Sequence, residues 1–337
     1  MEATQRLVST GQLPGRARTA DLVRQAWERF RTENSGTPSR VYPTLATADP
    51  ALFGVCVAGV TGVTQTAGDA DFSFPIMSVA KPFTFALACE ATGIDGVRER
   101  LGVDATGLAF DSIEAVERGA GRTNPMVNPG ALATVDLLSR GRAGSWSMLS
   151  EGLARFAGRP LTVDENTYAC AGRTNTRNRA LAHLLDSYGV LDGDPAEVLD
   201  LYTRQSCLSV TARDLAVMGA TLADGGVNPV TGERVVNAAV CRATLAVMAT
   251  AGLYETSGEW LYRVGLPGKS GIGGGIITAS PGKGGLGTFS PPLDRAGNSV
   301  RGQRVAEFLS AELGLDLFAS DVQRMPEGVR HGTQVRP

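Results

Sequence analysis

The chain has 337 residues, 43% of them hydrophobic and 20% charged, with 32 basic against 34 acidic side chains and a formal charge of −2. That size and balance suit a soluble globule with a sizeable core, and the lack of any basic or acidic block gives no footing for nucleic acid or an anionic membrane as partner. No apolar run approaches the roughly 18–20 residues a membrane span needs, and the opening residues lack the apolar stretch of a secretory leader, so a cytoplasmic location is expected.

In chain order, residues 1–18 are polar and read as a flexible N-terminus. Residues 19–33 read as an amphipathic helix, with Leu22, Val23, Ala26, Trp27 and Phe30 at helical spacing and Thr19 as N-cap. Leu52 to Val60, a Thr61-Gly62 turn and a short run toward Ala67 read as a β-hairpin. The middle is mainly helical. Its helices are expected from Ser78 to Ala91, Ala131 to Leu138, Met148 to Phe156, Arg177 to Tyr188, Ala196 to Tyr202, Ala212 to Leu222 and Cys241 to Ala249. Strand character returns at Leu261 to Val264, Gly274 to Ala279 and Gly285 to Phe289, and a final helix runs from Arg301 to Leu313. The tail, residues 319–337, is polar and reads as flexible.

Strands at both ends around a helical middle imply an α+β fold. A lone hairpin is not stable in water, so the N-terminal one pairs with the C-terminal strands in one antiparallel sheet. Terminal helices cover that sheet and a helical subdomain is inserted. The expected organisation is one catalytic domain over residues 19–318, with residues 19–70 and 258–318 as sheet and residues 71–257 as helices. The cleft between the two parts is a natural ligand site.

Histidine scarcity narrows the chemistry. Only His183 and His331 occur. His183 sits in an apolar helical pattern and reads as a packing residue, and His331 lies in the polar tail. A hydrolytic nucleophile here needs another base. The five cysteines are dispersed without paired spacing, which suits reduced thiols rather than a disulfide frame or a zinc site. No metal and no cofactor is expected.

Ser78 and Lys81 are three residues apart at a helix start, so they share one face. A serine hydroxyl needs a base to become a nucleophile. A lysine can serve if burial lowers its pKa from about 10.4 toward neutrality. Free N–H groups at a helix start also favour developing negative charge. Taken alone, Ser-x-x-Lys is a weak signal that reads first as an ordinary helix start with a surface lysine. Lys269-Ser270-Gly271, ahead of Gly273-Gly274-Gly275, completes the pairing of serine β-lactamases and penicillin-binding proteins.

Further stretches carry a more specific likeness. They are Asn124-Pro125-Met126-Val127-Asn128-Pro129-Gly130, Arg177-Asn178, Leu201-Tyr202-Thr203-Arg204-Gln205, Gly252-Leu253-Tyr254-Glu255-Thr256-Ser257-Gly258 and Gly268-Lys269-Ser270-Gly271-Ile272-Gly273-Gly274. With Ser290-Pro291-Pro292-Leu293-Asp294 they make the chain resemble the glutaminase family from about Val41 to Leu317. The resemblance implies the β-lactamase/transpeptidase-like fold and hydrolysis of L-glutamine to L-glutamate and ammonia. It implies Ser78 as nucleophile, Lys81 as base and Tyr254 as proton relay. Asn128, Asn178 and Tyr202 would hold the substrate's polar groups. The backbone N–H groups of Ser78 and Ile272 would form the oxyanion hole. A homodimer or homotetramer is implied, with a small amide as the only other partner. Read without the resemblance, the two asparagines are equally loop braces and the two tyrosines equally packing residues.

Two departures stand out. The family pattern places a glutamate, thought to hold the substrate's α-ammonium group, where this chain has Ala171. It also places a tyrosine where this chain has Val41, with Tyr42 one position later. Losing one charge-assisted hydrogen bond costs about 1.5–3 kcal/mol, so glutamine recognition is expected to be weakened or altered. Glu165 could supply the missing charge from a loop. The competing readings are an amidase on a related amide, a penicillin-recognising enzyme and a weakly active binding protein.

Overall fold

The computed structural model describes residues 12–139 and 144–320. The expected flexible N-terminus through residue 11 and the tail beyond residue 320, with His331, lie outside the described residues.

Five strands form one antiparallel sheet. They are β1 (Gly54–Gly59), β2 (Thr64–Gly68), β5 (Gly268–Ser270), β6 (Gly275–Ser280) and β7 (Gly284–Phe289), in the order β2-β1-β7-β6-β5. β1 pairs along its whole length with β7, from Gly54 opposite Phe289 to Gly59 opposite Gly284. The two chain ends are thus stitched into one sheet. A second, two-residue ladder joins β3 (Phe74–Pro75) to β4 (Ser209–Val210) inside the helical region.

β1 is buried at every residue, which follows from cover on both faces. Val55 and Val57 pack with Leu22, Val23, Ala26, Val305, Ala306 and Leu309 of the Arg16–Phe30 and Val300–Glu312 helices. Cys56 and Ala58 face Ala216, Val217 and Ala220 of the Ala212–Ala223 helix. That second cover is a helix of the middle, not a terminal one, and it lies very close. A Cβ on Gly287 would stand 2.1 Å from the Ala212 carbonyl oxygen, so only glycine fits there. The first helix begins at Arg16 rather than Thr19, and the Thr19 hydroxyl instead donates to the Pro14 carbonyl at 3.0 Å.

The largest core lies among the middle helices. It unites Phe83, Leu132, Val135, Leu153, Phe156, Leu181, Leu185, Leu199 and Met248. One expected strand is absent. Leu261 to Val264 belongs to the Ser257–Val264 helix, whose buried Ser257, Trp260 and Val264 recur at helical spacing. The β-prone Leu-Tyr pair does not outweigh that pattern. The strand beside β6 is instead the Lys269-Ser270 segment itself.

Candidate active site

The Ser78 segment is fixed by its flanks. Pro75 pairs with Ser209, and the Ile76 N–H donates to the Leu208 carbonyl at 2.8 Å. Phe74 stacks on Phe289 with centroids 4.0 Å apart, tying the segment to β7. A 3₁₀ turn over Met77–Ala80 then runs directly into the Lys81–Thr92 helix. Pro82 sits in the first turn, where its missing N–H costs nothing. Ser78 is the one partly accessible residue between Phe74 and Cys89.

From the sheet side, the end of β5 abuts this turn. A Cβ on Gly271 would stand 3.1 Å from the Ile76 carbonyl oxygen and 3.3 Å from the Ser78 nitrogen. The glycine of Lys269-Ser270-Gly271 is therefore what lets β5 close on the Ser78 turn. Met77 and Tyr254 both adopt positive φ, 50° and 55°. Each costs on the order of 1–3 kcal/mol, strain that persists where surrounding structure over-determines a functional position.

The Tyr254 hydroxyl donates to the Ser270 carbonyl at 3.2 Å, and the Ser78 side chain acts on it from close by. Burial pushes the Tyr254 phenol up, and Ser78 only partly offsets it. Phe110 packs on the Tyr254 ring at 4.8 Å. Lys269 lies beneath, its Nζ 4.3 Å from the ring centroid and 2.6 Å from the Ser270 carbonyl oxygen.

Lys81 is 2% exposed. Its Nζ donates to Asn128 Oδ1 at 2.6 Å. Burial brings its pKa down to about 7, against a smaller upward pull from Asp111. Lys269 is also held well below its ordinary value, by burial first and then by Lys81. Two amines share this buried region, and each disfavours a proton on the other.

Asn128 opens the Asn128–Ser139 helix, and its N–H donates to the Phe110 carbonyl at 2.7 Å. Its side chain begins a chain of amides. Asn128 Nδ2 donates to Asn178 Oδ1 at 2.8 Å, Asn178 Nδ2 to Asn175 Oδ1 at 2.7 Å, and Asn175 Nδ2 to Thr203 Oγ1 at 2.9 Å. The Tyr202 hydroxyl donates to Asn128 Oδ1 at 3.2 Å. This buried network orients Asn128 toward the Lys81 amine, and satisfied networks of this kind are rigid.

A cavity of about 150 Å³ opens over these groups. Ser78, Asn128, Asn178, Tyr202 and Ile272 all line it. Tyr254 and Lys81 stand behind it, reached through Ser78 and Asn128. All seven residues singled out in the sequence thus converge on one place. Four others there had been given no role: Lys269, whose motif was visible, and Phe110, Asp111 and Asn175, which carry no motif of their own.

The departures resolve unequally. Ala171 lines the cavity and is buried, so the position faces the cavity with only a methyl to offer. Tyr42 and Val41 both line it too. Glu165 does not serve as the rescuing charge. It is the exposed first residue of the Glu165–Thr174 helix, not a loop residue, and it does not line the cavity. His183 is exposed on the Thr176–Ser187 helix rather than packed. Among the described residues no cluster of three or more His, Cys, Asp or Glu could hold a metal ion.

Comparison with known proteins places the chain in a family. The Glutaminase family model matches residues 36–318. "Glutaminase 2" of Yersinia pestis is 58% identical over 316 residues, 93% of each chain. A glutaminase of Colwellia psychrerythraea is 45% identical over 299 residues, 88% of this chain and 96% of that one. The solved structure described as "Probable glutaminase ybaS" superposes with a TM-score of 0.89 at 40% identity, over 91% of this chain and all of the other. A Bacillus glutaminase gives a TM-score of 0.80 at 30% identity, over 89% of this chain and all of the other. The chain belongs to the glutaminase family and has its β-lactamase-like fold.

Proposed function

We propose that this hydrolase cleaves the side-chain amide of L-glutamine through a serine acyl-enzyme, with Lys81 as the base that frees the Ser78 hydroxyl. The hydrolysis of glutamine to glutamate and ammonia goes with the family; the serine route is the reading the site supports best. One observation carries it: a fully enclosed lysine one turn from a half-accessible serine, with burial bringing the amine's pKa to about 7.

The alternatives for the base weigh less. A buried phenol pushed upward is a poor proton acceptor at neutral pH, so Tyr254 serves as a relay. Lys269 is committed to the Ser270 carbonyl and the Tyr254 ring. Lys81 can lie substantially unprotonated near pH 7, and Asn128 accepts from it in either state.

The steps follow. Lys81 draws the Ser78 proton, through Tyr254 or directly, as Oγ attacks the amide carbon. The oxygen gains negative charge and is met by the backbone N–H groups of Ser78 and Ile272, at the start of a helical segment. The carbon–nitrogen bond breaks, the proton passes to the leaving nitrogen, and ammonia departs. Water then attacks the ester with the same base assisting, and glutamate leaves. Asn128, Asn178 and Tyr202 hold the substrate's carboxylate and polar groups.

Family membership also supports a homodimer or homotetramer, which sedimentation would read. No helix among the described residues is long and apolar enough to cross a membrane, and a cytoplasmic location is the accompanying reading, testable by fractionation.

The direct test is ammonia release from L-glutamine by the natural protein and by Ser78→Ala, with rapid-quench mass spectrometry of the Ser78 peptide. The reading predicts a glutamyl adduct on Ser78 and a loss of about 10⁴-fold or more in the variant. Undiminished activity in Ser78→Ala would refute it.

A further inference from the structure

Beyond its reacting amide, free glutamine carries an α-carboxylate and an α-ammonium. A cleft that encloses it must answer both charges, since a buried, unpaired ammonium is costly. Ala171 offers no charge, and Glu165 does not reach the cavity. Among the described residues that line it, Asp111 carries the one carboxylate and Arg177 the one guanidinium.

Asp111 is held in place from both sides. The carbonyl of the preceding Phe110 accepts the Asn128 N–H at 2.7 Å. The Asp111 carbonyl accepts Arg177 Nε at 3.0 Å. Its backbone is thereby tied to the starts of the Asn128–Ser139 and Thr176–Ser187 helices, which carry Asn128 and Asn178. Its side chain remains 33% accessible, with Arg177 Nε at 3.6 Å as a half-exposed ion-pair partner. Such a pair contributes little and yields readily to a ligand. The carboxylate is therefore fixed at the cavity wall yet not consumed by a buried partner. It also acts on the site's chemistry, since its charge favours the protonated form of Lys81.

We propose that Asp111 is the specificity residue that receives the substrate's α-ammonium group, supplying the negative charge that Ala171 lacks. This rests on the reading of the cavity as the glutamine site. Asp111 distinguishes L-amino-acid amides from the same acyl chain without the amino group. Arg177, beside it, is left to face the α-carboxylate with Asn178.

The test is calorimetric binding of L-glutamate and of glutarate, the same diacid without its amino group, to the natural protein, Asp111→Asn and Asp111→Asn/Ala171→Glu. Binding is read without turnover, so a failure of the serine chemistry shows separately, in the ammonia assay. Asp111→Asn is expected to weaken L-glutamate about 10- to 100-fold and glutarate less than about threefold. The Ala171→Glu change should restore part of the glutamate affinity. Equal weakening of both ligands would assign Asp111 a merely structural role and overturn the proposal. So would unchanged glutamate binding, or a natural protein that binds both ligands alike.

Discussion

The two walls of the cleft are built differently. The wall made by β5 and the Ser78 turn is closed: Lys269 and Ser270 are fully buried, Lys81 and Tyr254 nearly so, and two residues hold left-handed backbone. The opposite wall, from Ala171 to Arg177 with Asp111 against Arg177, is polar and partly open, with Arg177 and Thr174 exposed. On the proposed mechanism, the first wall carries the groups that make and break bonds and the second those that recognise the rest of the substrate. Their difference teaches where the resemblance lies: the buried wall keeps the Ser78-x-x-Lys81 and Lys269-Ser270-Gly271 spacings, whereas the open wall has Ala171 where the family pattern has a glutamate and presents a carboxylate at Asp111.

Substitutions should split kinetically along that division. On the closed wall, Tyr254→Phe keeps the ring between Phe110 and Lys269 but removes the hydroxyl beside Ser78. It should lower kcat about 100-fold with little change in KM, as steady-state ammonia release would show. A rise in KM at unchanged kcat would move Tyr254 to the recognition wall. On the open wall, Asn178→Ala cuts the amide chain between Asn128 and Asn175. It should raise KM about tenfold and leave kcat within a few-fold, because Lys81 still reaches Asn128. A kcat loss as large as that of Tyr254→Phe would erase the distinction between the walls.

Much of the closed wall was legible in the sequence, and for a physical reason. It is built from residues at fixed short spacing: Ser78 and Lys81 on one turn, Lys269 two before the glycine that admits the strand to Ser78. The terminal pairing of the sheet was legible too, since a hairpin needs partners and β7 supplied them. The open wall was less so. Asp111 lies in a turn ahead of the Ile113–Arg118 helix, without periodicity or motif, and only the folded chain brings it to the cavity that Ala171 also lines. Glu165 was placed in a loop, although Asp164 caps a helix there by accepting from the Thr167 N–H. The Leu261–Val264 segment was read as a strand because its β-prone composition was weighed without Trp260, whose burial fixes the helical face. His183 sits in an apolar pattern yet lies at its exposed edge.

The central claim is that burial keeps the Lys81 amine available as a base near neutral pH. The measurement is the pH dependence of kcat/KM for L-glutamine, which reports the free enzyme's essential groups. Because the base must be unprotonated, activity should climb as pH rises through about 7 and level off above it. A profile flat from acid to alkaline pH, or one that begins to rise only near the ordinary lysine range, would contradict the account.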